Sequence, residues 1–375
     1  MSKPESSAKP GARVASAARA IEKLADARAQ LDAQSALAAD SIAYHHAVMC
    51  MIGLPRSPQR ERIWTRSNGK ASLTVIAGGI MRSGVRVEQP LPAGSYPRLI
   101  MADIATYAIK HKTTRIPMEA SASAYMRNRL HLFVNGGKRG TYTSFKTAAL
   151  ALSAAHVEMS VEHCGKTQYV KAPPIRRFEA WTVDDGEQQA LWPCELDLAL
   201  DFYESLREHA VPVDSRAYLA LSHSSMAMDL YSWLAHRLYR LEAPLELPWA
   251  TLLQQFGGYI DALECRKEII RRLPEVLAVY PAAKLEIERG RRGQKGGVLR
   301  LFPSPPPVPR VHVVVPAIIG ADEEKRAPAK PRERPRPRPK SELDPIEQRL
   351  AERAVQSAEE RVLQSMAERE RGLRS

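Results

Sequence analysis

Cysteine is scarce in this 375-residue chain: Cys50, Cys164, Cys194 and Cys265 are far apart, and none forms a C-x-x-C pair. That spacing argues against a zinc site and fits buried, inert thiols in a reducing cytoplasm. Long apolar runs are missing too. None approaches the roughly 18–20 residues that span a bilayer, so no membrane partner is expected. The opening MSKPESSAKPGAR has no apolar h-region, which again leads to a cytoplasmic expectation.

Enzyme signatures are equally hard to find. Gly69-Lys70 and Gly137-Lys138 lack the flanking residues of a phosphate-binding loop, and no H-E-x-x-H, G-x-S-x-G or kinase-type set occurs. His45 and His46 are adjacent and would point apart on a helix. His156 and His163 would face opposite sides of a strand. Asp184-Asp185 before Gly186 reads as a turn. The expectation is a protein without enzymatic activity, metal or cofactor.

What the chain does have is positive charge. It carries 55 Lys and Arg against 42 Asp and Glu, a net charge of +13 and a pI near 9.6. An excess of this size calls for an anionic partner, most commonly nucleic acid, although a ribosome-associated or membrane-surface role has the same signature.

Five stretches follow one another. Residues 1–52 read as an N-terminal arm, polar at first and then an Ala-rich helix with Val14, Ile21, Leu24, Leu31 and Ile42 close to helical spacing. Residues 53–182 and 183–308 form the globular region. It starts with a β-hairpin, ERIWTRSNGKASLTVIAGG, turned at Asn68-Gly69. Residues 309–341 form a disordered Pro/Arg-rich linker. Twelve of the 28 prolines fall between Pro303 and Pro345, and APAKPRERPRPRPK alternates them with charge. Residues 342–375 follow as a marginal helix capped by Asp344 and Pro345, with a thin stripe of Ile346, Leu350, Ala354, Val362 and Met366.

Within the globular region, the same order of elements occurs twice. The first copy has a helix over Pro97–Lys112, the strand TRIPM, a small helix over Ser121–Leu130 and a longer helix from about Lys138 to Ala154. The runs HVEMSVEH and TQYVKA close it as a hairpin at Cys164-Gly165. The second has a helix over Met226–Leu241, the strand APLELP, the small helix WATLLQQFG and a longer helix over Ile260–Tyr280. Its closing hairpin, AKLEIERG with GGVLRLF, turns around Arg291-Arg292-Gly293. This is the order of a winged helix, so the expected fold is α+β with two tandem winged-helix domains. Units of roughly 70–80 residues are small for a stable core, which favours packing the two together.

In such a fold the last helix enters the major groove and the wing touches backbone or minor groove. On the second reading helix Cys265, Ile269, Leu273 and Val276 share one side. Lys267 and Arg271 fall opposite, Arg266 flanks them, and Arg272 would have to snorkel from nearer the buried side. The wing tip ERGRRGQKGG adds Arg289, Arg291, Arg292 and Lys295 against phosphates. Pro274 should kink or shorten this helix. On the first reading helix Phe145, Ala149 and Leu152 face inward. Arg139, Thr143, Lys146 and Thr147 face outward, with Lys138 just before them. A polar, solvated face accounts for either helix equally simply.

The stretch MDLYSWLAHRLYRL, from Met228 to Leu241, reads as the first helix of the second copy, with Leu230, Trp233, Leu234, Leu238 and Leu241 as its buried stripe. VPVDSRAYLAL…DLYSWLAHRL…LPW, together with LPRSPQRERIWTRSNGKASLTV, LPAGSYPRLIMADIATYA and LFPSPPPV, resembles the plasmid-encoded RepA replication initiators. The resemblance runs from about Leu54 to Val308. It implies a tandem winged-helix initiator that binds repeated double-stranded DNA at a plasmid origin, helps open the duplex and recruits host replication proteins such as a helicase or its loader. A homodimer is compatible with that role. Departures from the family pattern are the alanine-rich SFKTAALALSAA, Pro274 and the two terminal extensions. Two alternatives stay open: a winged-helix transcriptional repressor with no role in initiation, and a nicking initiator with a Tyr nucleophile.

Overall fold

The computed structural model describes Ala29 and residues 41–309, apart from 70, 83, 138–139, 164–165, 173, 185–188 and 289–296. The Pro/Arg linker, the C-terminal helix and most of the N-terminal arm therefore lie outside the described residues. The fold mixes helices with small antiparallel sheets, and the described residues share one continuous hydrophobic core from Ile42 to Val308.

The core begins inside the segment read as an arm. Strand β1 (Ile42–His46) is buried at every position and pairs antiparallel with β11 (Ala210–Asp214), Ala43 opposite Val213. Helix α1 (Ala47–Ile52) follows, with His46 as N-cap through its Nδ1, which accepts from Val48 N at 3.1 Å. The arm boundary at 52 is thus corrected to about 41. A strand buried on both faces does not alternate, so IAYHH shows no period of two and merges into the Ala-rich pattern before it.

The hairpin β2 (Ile63–Asn68) and β3 (Ala71–Ile76) forms as expected. A second hairpin, β4 (Gly79–Arg82) with β5 (Val85–Glu88), follows it. Helix α2 (Ser95–His111) then leads to β6 (Arg115–Pro117) and to α3 (Ala122–Ala124), which continues as a π-helix over Tyr125–Arg129. Helix α4 (Thr141–Ala154) buries Phe145, Ala148, Ala151 and Leu152. Tyr96 meets the Phe145 ring edge-on at 5.6 Å.

The hairpin after α4 forms where the sequence pattern put it, but it does not close the first unit. Strands β7 (His156–His163) and β8 (Lys166–Ala172) do pair with each other, but β7 also pairs with β3, giving a four-stranded sheet in the order β2-β3-β7-β8. The pair that closes the first unit comes later. Strand β9 (Ile175–Asp184) pairs with β10 (Gln189–Leu198), and β10 with β6, placing Leu196 opposite Ile116. A division at 182/183 falls inside β9, so the first unit extends to about Leu198. A hairpin is a local signal, whereas its sheet partner is set by non-local burial that spacing does not record.

Helix α5 (Leu200–Glu208), strand β11 and helix α6 (Ser215–Ala220) link the units. Helix α7 (Ser225–Arg237) is buried from Met226 to His236 on every side, so it is a central pillar rather than a helix with a stripe. Strand β12 (Leu245–Pro248), helix α8 (Trp249–Phe256), helix α9 (Ala262–Val279), β13 (Leu285–Glu288) and β14 (Val298–Leu301) complete the chain. The sheet order β12-β14-β13 repeats β6-β10-β9, with Leu247 opposite Leu299.

A buried ion pair clamps the first helix of one unit to the first helix of the other. Arg98 of α2 donates to Asp229 of α7 through Nε (2.7 Å) and Nη2 (2.8 Å). Its remaining donors reach the carbonyls of Leu54, Pro55 and Gly94. Every donor position on the guanidinium is therefore used, the condition under which a buried charge is tolerated.

Candidate nucleic-acid interface

Helix α9 is N-capped by Asp261, whose Oδ1 accepts from Glu264 N at 2.7 Å, while Glu264 Oε2 accepts from Ile260 N, one residue before the cap, at 2.9 Å. Its inner side is Cys265, Ile269, Leu273, Val276 and Val279, as the periodicity predicts with one residue added. Burial raises the Cys265 thiol to about 11, which leaves it inert. Pro274 does not shorten the helix, which runs on to Val279. Burial of Leu273, Val276 and Val279, at about 1.5–3 kcal/mol each, outweighs the roughly 3 kcal/mol cost of an internal proline.

The outward residues of α9 differ in their freedom. Lys267 is exposed and has no hydrogen bond or ion pair among the described residues. Arg271 is also exposed but pairs with Glu268, one turn back. Arg266 turns inward over the Trp249 ring at 5.6 Å, and Arg272 is held by Glu268 (3.1 Å) and Glu275 (3.0 Å). Of the positions read as facing a groove, Lys267 and Arg271 lie together on the outer side, and Arg266 supports the helix from beneath. The wing residues Arg289, Arg291, Arg292 and Lys295 lie outside the described residues.

Helix α4 offers hydroxyls rather than charge. Thr143 and Thr147 are exposed, yet their Oγ1 atoms donate to Gly137 O (3.0 Å) and Thr143 O (2.9 Å). Their lone pairs remain to accept. Lys146 is half-buried, and Lys138 and Arg139 lie outside the described residues. The turn into α4 is fixed by Thr141, whose Oγ1 donates to Phe133 O at 3.0 Å and accepts from Asn135 N at 3.0 Å. Phe133 before α4 is 79% exposed, and Ile260 before α9 is 93% exposed.

Spacing gave no sign of the cleft between β2 and the α8–α9 turn. Arg56, Trp64, Arg66, Gln254, Gly258 and Tyr259 are among its lining residues. Trp64 and Arg66 are two apart on a strand and so share a face, a hint that could have been read. Arg56, 201 residues from Gly257 in sequence, could not have been placed there. No group of three or more His, Cys, Asp or Glu among the described residues could hold a metal ion, and no helix among them is long and apolar enough to cross a membrane.

Residues 91–246 match the family model of the plasmid-encoded RepA protein. Over this segment the chain is similar to the RepA family. The RepA match spans the first unit from before α2, passes through α7 and ends within β12, short of α8 and α9. It supports a replication-initiator role. No curated protein matches the chain. The solved structure of RctB domains 2-3 is similar at 10% identity with a TM-score of 0.40, covering 68% of this chain and 96% of that one.

Proposed function

We propose that this protein initiates plasmid replication by binding repeated double-stranded DNA at the origin through two tandem winged-helix units. Helix α9 reads the major groove with Lys267 and Arg271. Helix α4 contributes Thr143, Lys146 and Thr147, with Lys138 and Arg139 at its start, and the 289–295 wing adds phosphate contacts. The observation that carries this reading is the repeated arrangement, in which helix, strand, helix, helix and an antiparallel pair recur with the same strand order in both units. The RepA match over the first unit and α7 points the same way. Host replication proteins, a helicase or its loader, would then supply ATP-driven unwinding.

The test is a footprint on the DNA flanking the gene. The reading expects protection of tandem direct repeats, together with replication of a minimal plasmid carrying the gene and those repeats. Protection without replication would instead leave a repressor, and absence of protection would reject the reading.

A further inference from the structure

The cleft between β2 and the α8–α9 turn holds more positive charge than the protein neutralises. Arg98 occupies both oxygens of Asp229, and Arg56 reaches that carboxylate only at 3.9 Å. Arg56 spends Nη2 on Gly257 O and lies 5.1 Å from the Tyr259 ring centroid. Arg66 lies over Trp64 at 4.7 Å and donates from Nη1 to Ile52 O at 3.3 Å. Its Nε and Nη2 have no acceptor among the described residues. Burial first, and then Arg56, pulls the Arg66 guanidinium down to about 10, the mark of an arginine short of counter-charge.

The walls fit an extended phosphate rather than a nucleotide. The Arg66 guanidinium lies over Trp64 and the Arg56 guanidinium over Tyr259, so both rings of the cleft already carry a cation. Ser57 lines the cleft as an exposed residue whose hydroxyl is a common phosphate partner. Gly257 and Gly258 have φ of +55° and +73°, and a Cβ on Gly257 would sit 3.0 Å from Arg66 Nε and Nη2. The turn can therefore approach the guanidinium only as glycine. Two residues beyond Tyr259, Asp261 caps α9, so an anion held here lies beside the start of that helix.

We propose that this cleft seats a phosphodiester of the DNA strand bordering the groove that α9 enters, with Arg66 as its principal donor and Arg56 as a positioning residue. The inference rests on the DNA-binding reading above and adds a contact from the N-terminal hairpin. An arginine fork suits a phosphate better than a point charge would. A backbone contact fixes register without reading sequence.

The experiment uses the full chain and measures affinity for a repeat-bearing duplex and a random duplex between about 50 and 300 mM salt, a range that brackets physiological strength. The variants are Arg66→Met, which keeps the stem on Trp64, and Ser57→Glu, which places a negative charge at the exposed mouth. Each should weaken both duplexes by the same factor, and Arg66→Met should lower the slope of log affinity against log salt by about 0.9. Ser57→Glu provides the reading should Arg66→Met fail to fold. Wild-type slopes and affinities in the folded variants would overturn the phosphate seat alone. A wild-type chain that binds neither duplex would overturn it together with the DNA-binding reading.

Discussion

The two units share a strand order and differ in how they are finished. The first carries an insertion between α4 and its closing strands: β7 and β8 leave to join β2 and β3 before β9 and β10 return to β6. The second has no such detour, and β13–β14 follow α9 directly. Their outer faces differ as well. Helix α4 shows hydroxyls that already donate to backbone, whereas α9 shows an uncommitted Lys267 and lies beside a cleft with unneutralised arginines. One arrangement thus supports two surfaces, and the sites that bear charge are set by neighbours as much as by the helix itself.

If the units depend on each other, breaking their shared clamp should cost most. Asp229→Ala leaves Arg98 buried without its counter-charge, and a loss of about 3–5 kcal/mol is expected. Urea denaturation would show it. A loss below about 1 kcal/mol, the scale of an exposed pair, would mean the units are held together mainly by other contacts.

The next effect comes from pH. His45 and His46 on β1 are held down to about 3, first by burial and then by Arg98 and His209 respectively. Each is neutral when folded and takes up a proton on unfolding below its ordinary value of 6.5. Stability from these groups is fully present above about pH 6.5 and is lost as pH falls towards about 3. At about pH 5.5 each should cost about 1.4 kcal/mol. A melting temperature unchanged between about pH 7.5 and 5.5 would show that β1 is not buried against the core.

A smaller pair of variants sharpens the contrast between hairpin and cleft. Gly69 and Gly257 share φ of +55°, but Gly257 combines it with ψ of −174°, a region reserved for glycine, and has a close neighbour, Arg66 at 3.0 Å. Gly69→Ala should cost about 1–2 kcal/mol from backbone conformation alone, and Gly257→Ala more. Equal losses in urea titrations would mean that both the turn backbone at Gly257 and Arg66 yield freely. Smallest of all should be Thr143→Ala with Thr147→Ala, which removes only hydroxyls engaged with nearby backbone. A loss of repeat preference in that variant equal to one in α9 would erase the difference between the units.

The second unit was largely legible because its signals are local. The alternation in APLELP, the glycine after WATLLQQF and the stripe Cys265–Val276 fall within elements that the structure bounds to within a few residues. The first unit misled where a true hairpin, β7–β8, occupied the place of the closing pair. Nothing in HVEMSVEH distinguishes pairing with β3 from pairing with β6. Strand β1 was missed because complete burial erases its alternation, and the cleft because Arg56 and Gly257 meet only through tertiary structure. Helix α7 was identified correctly, yet its burial on all sides was hidden by His236 and Asp229, which find their partners inside the fold.

The central claim, that α9 of the second unit reads DNA sequence, is tested most directly by competition binding with Lys267→Ala and Arg271→Ala combined in the full chain. The measured quantity is the ratio of affinities for repeat-bearing and random duplex. A good base contact is worth about 1–3 kcal/mol of discrimination, so the ratio should fall roughly tenfold to a hundredfold while the protein stays folded. A folded double variant that keeps the wild-type ratio would contradict the account.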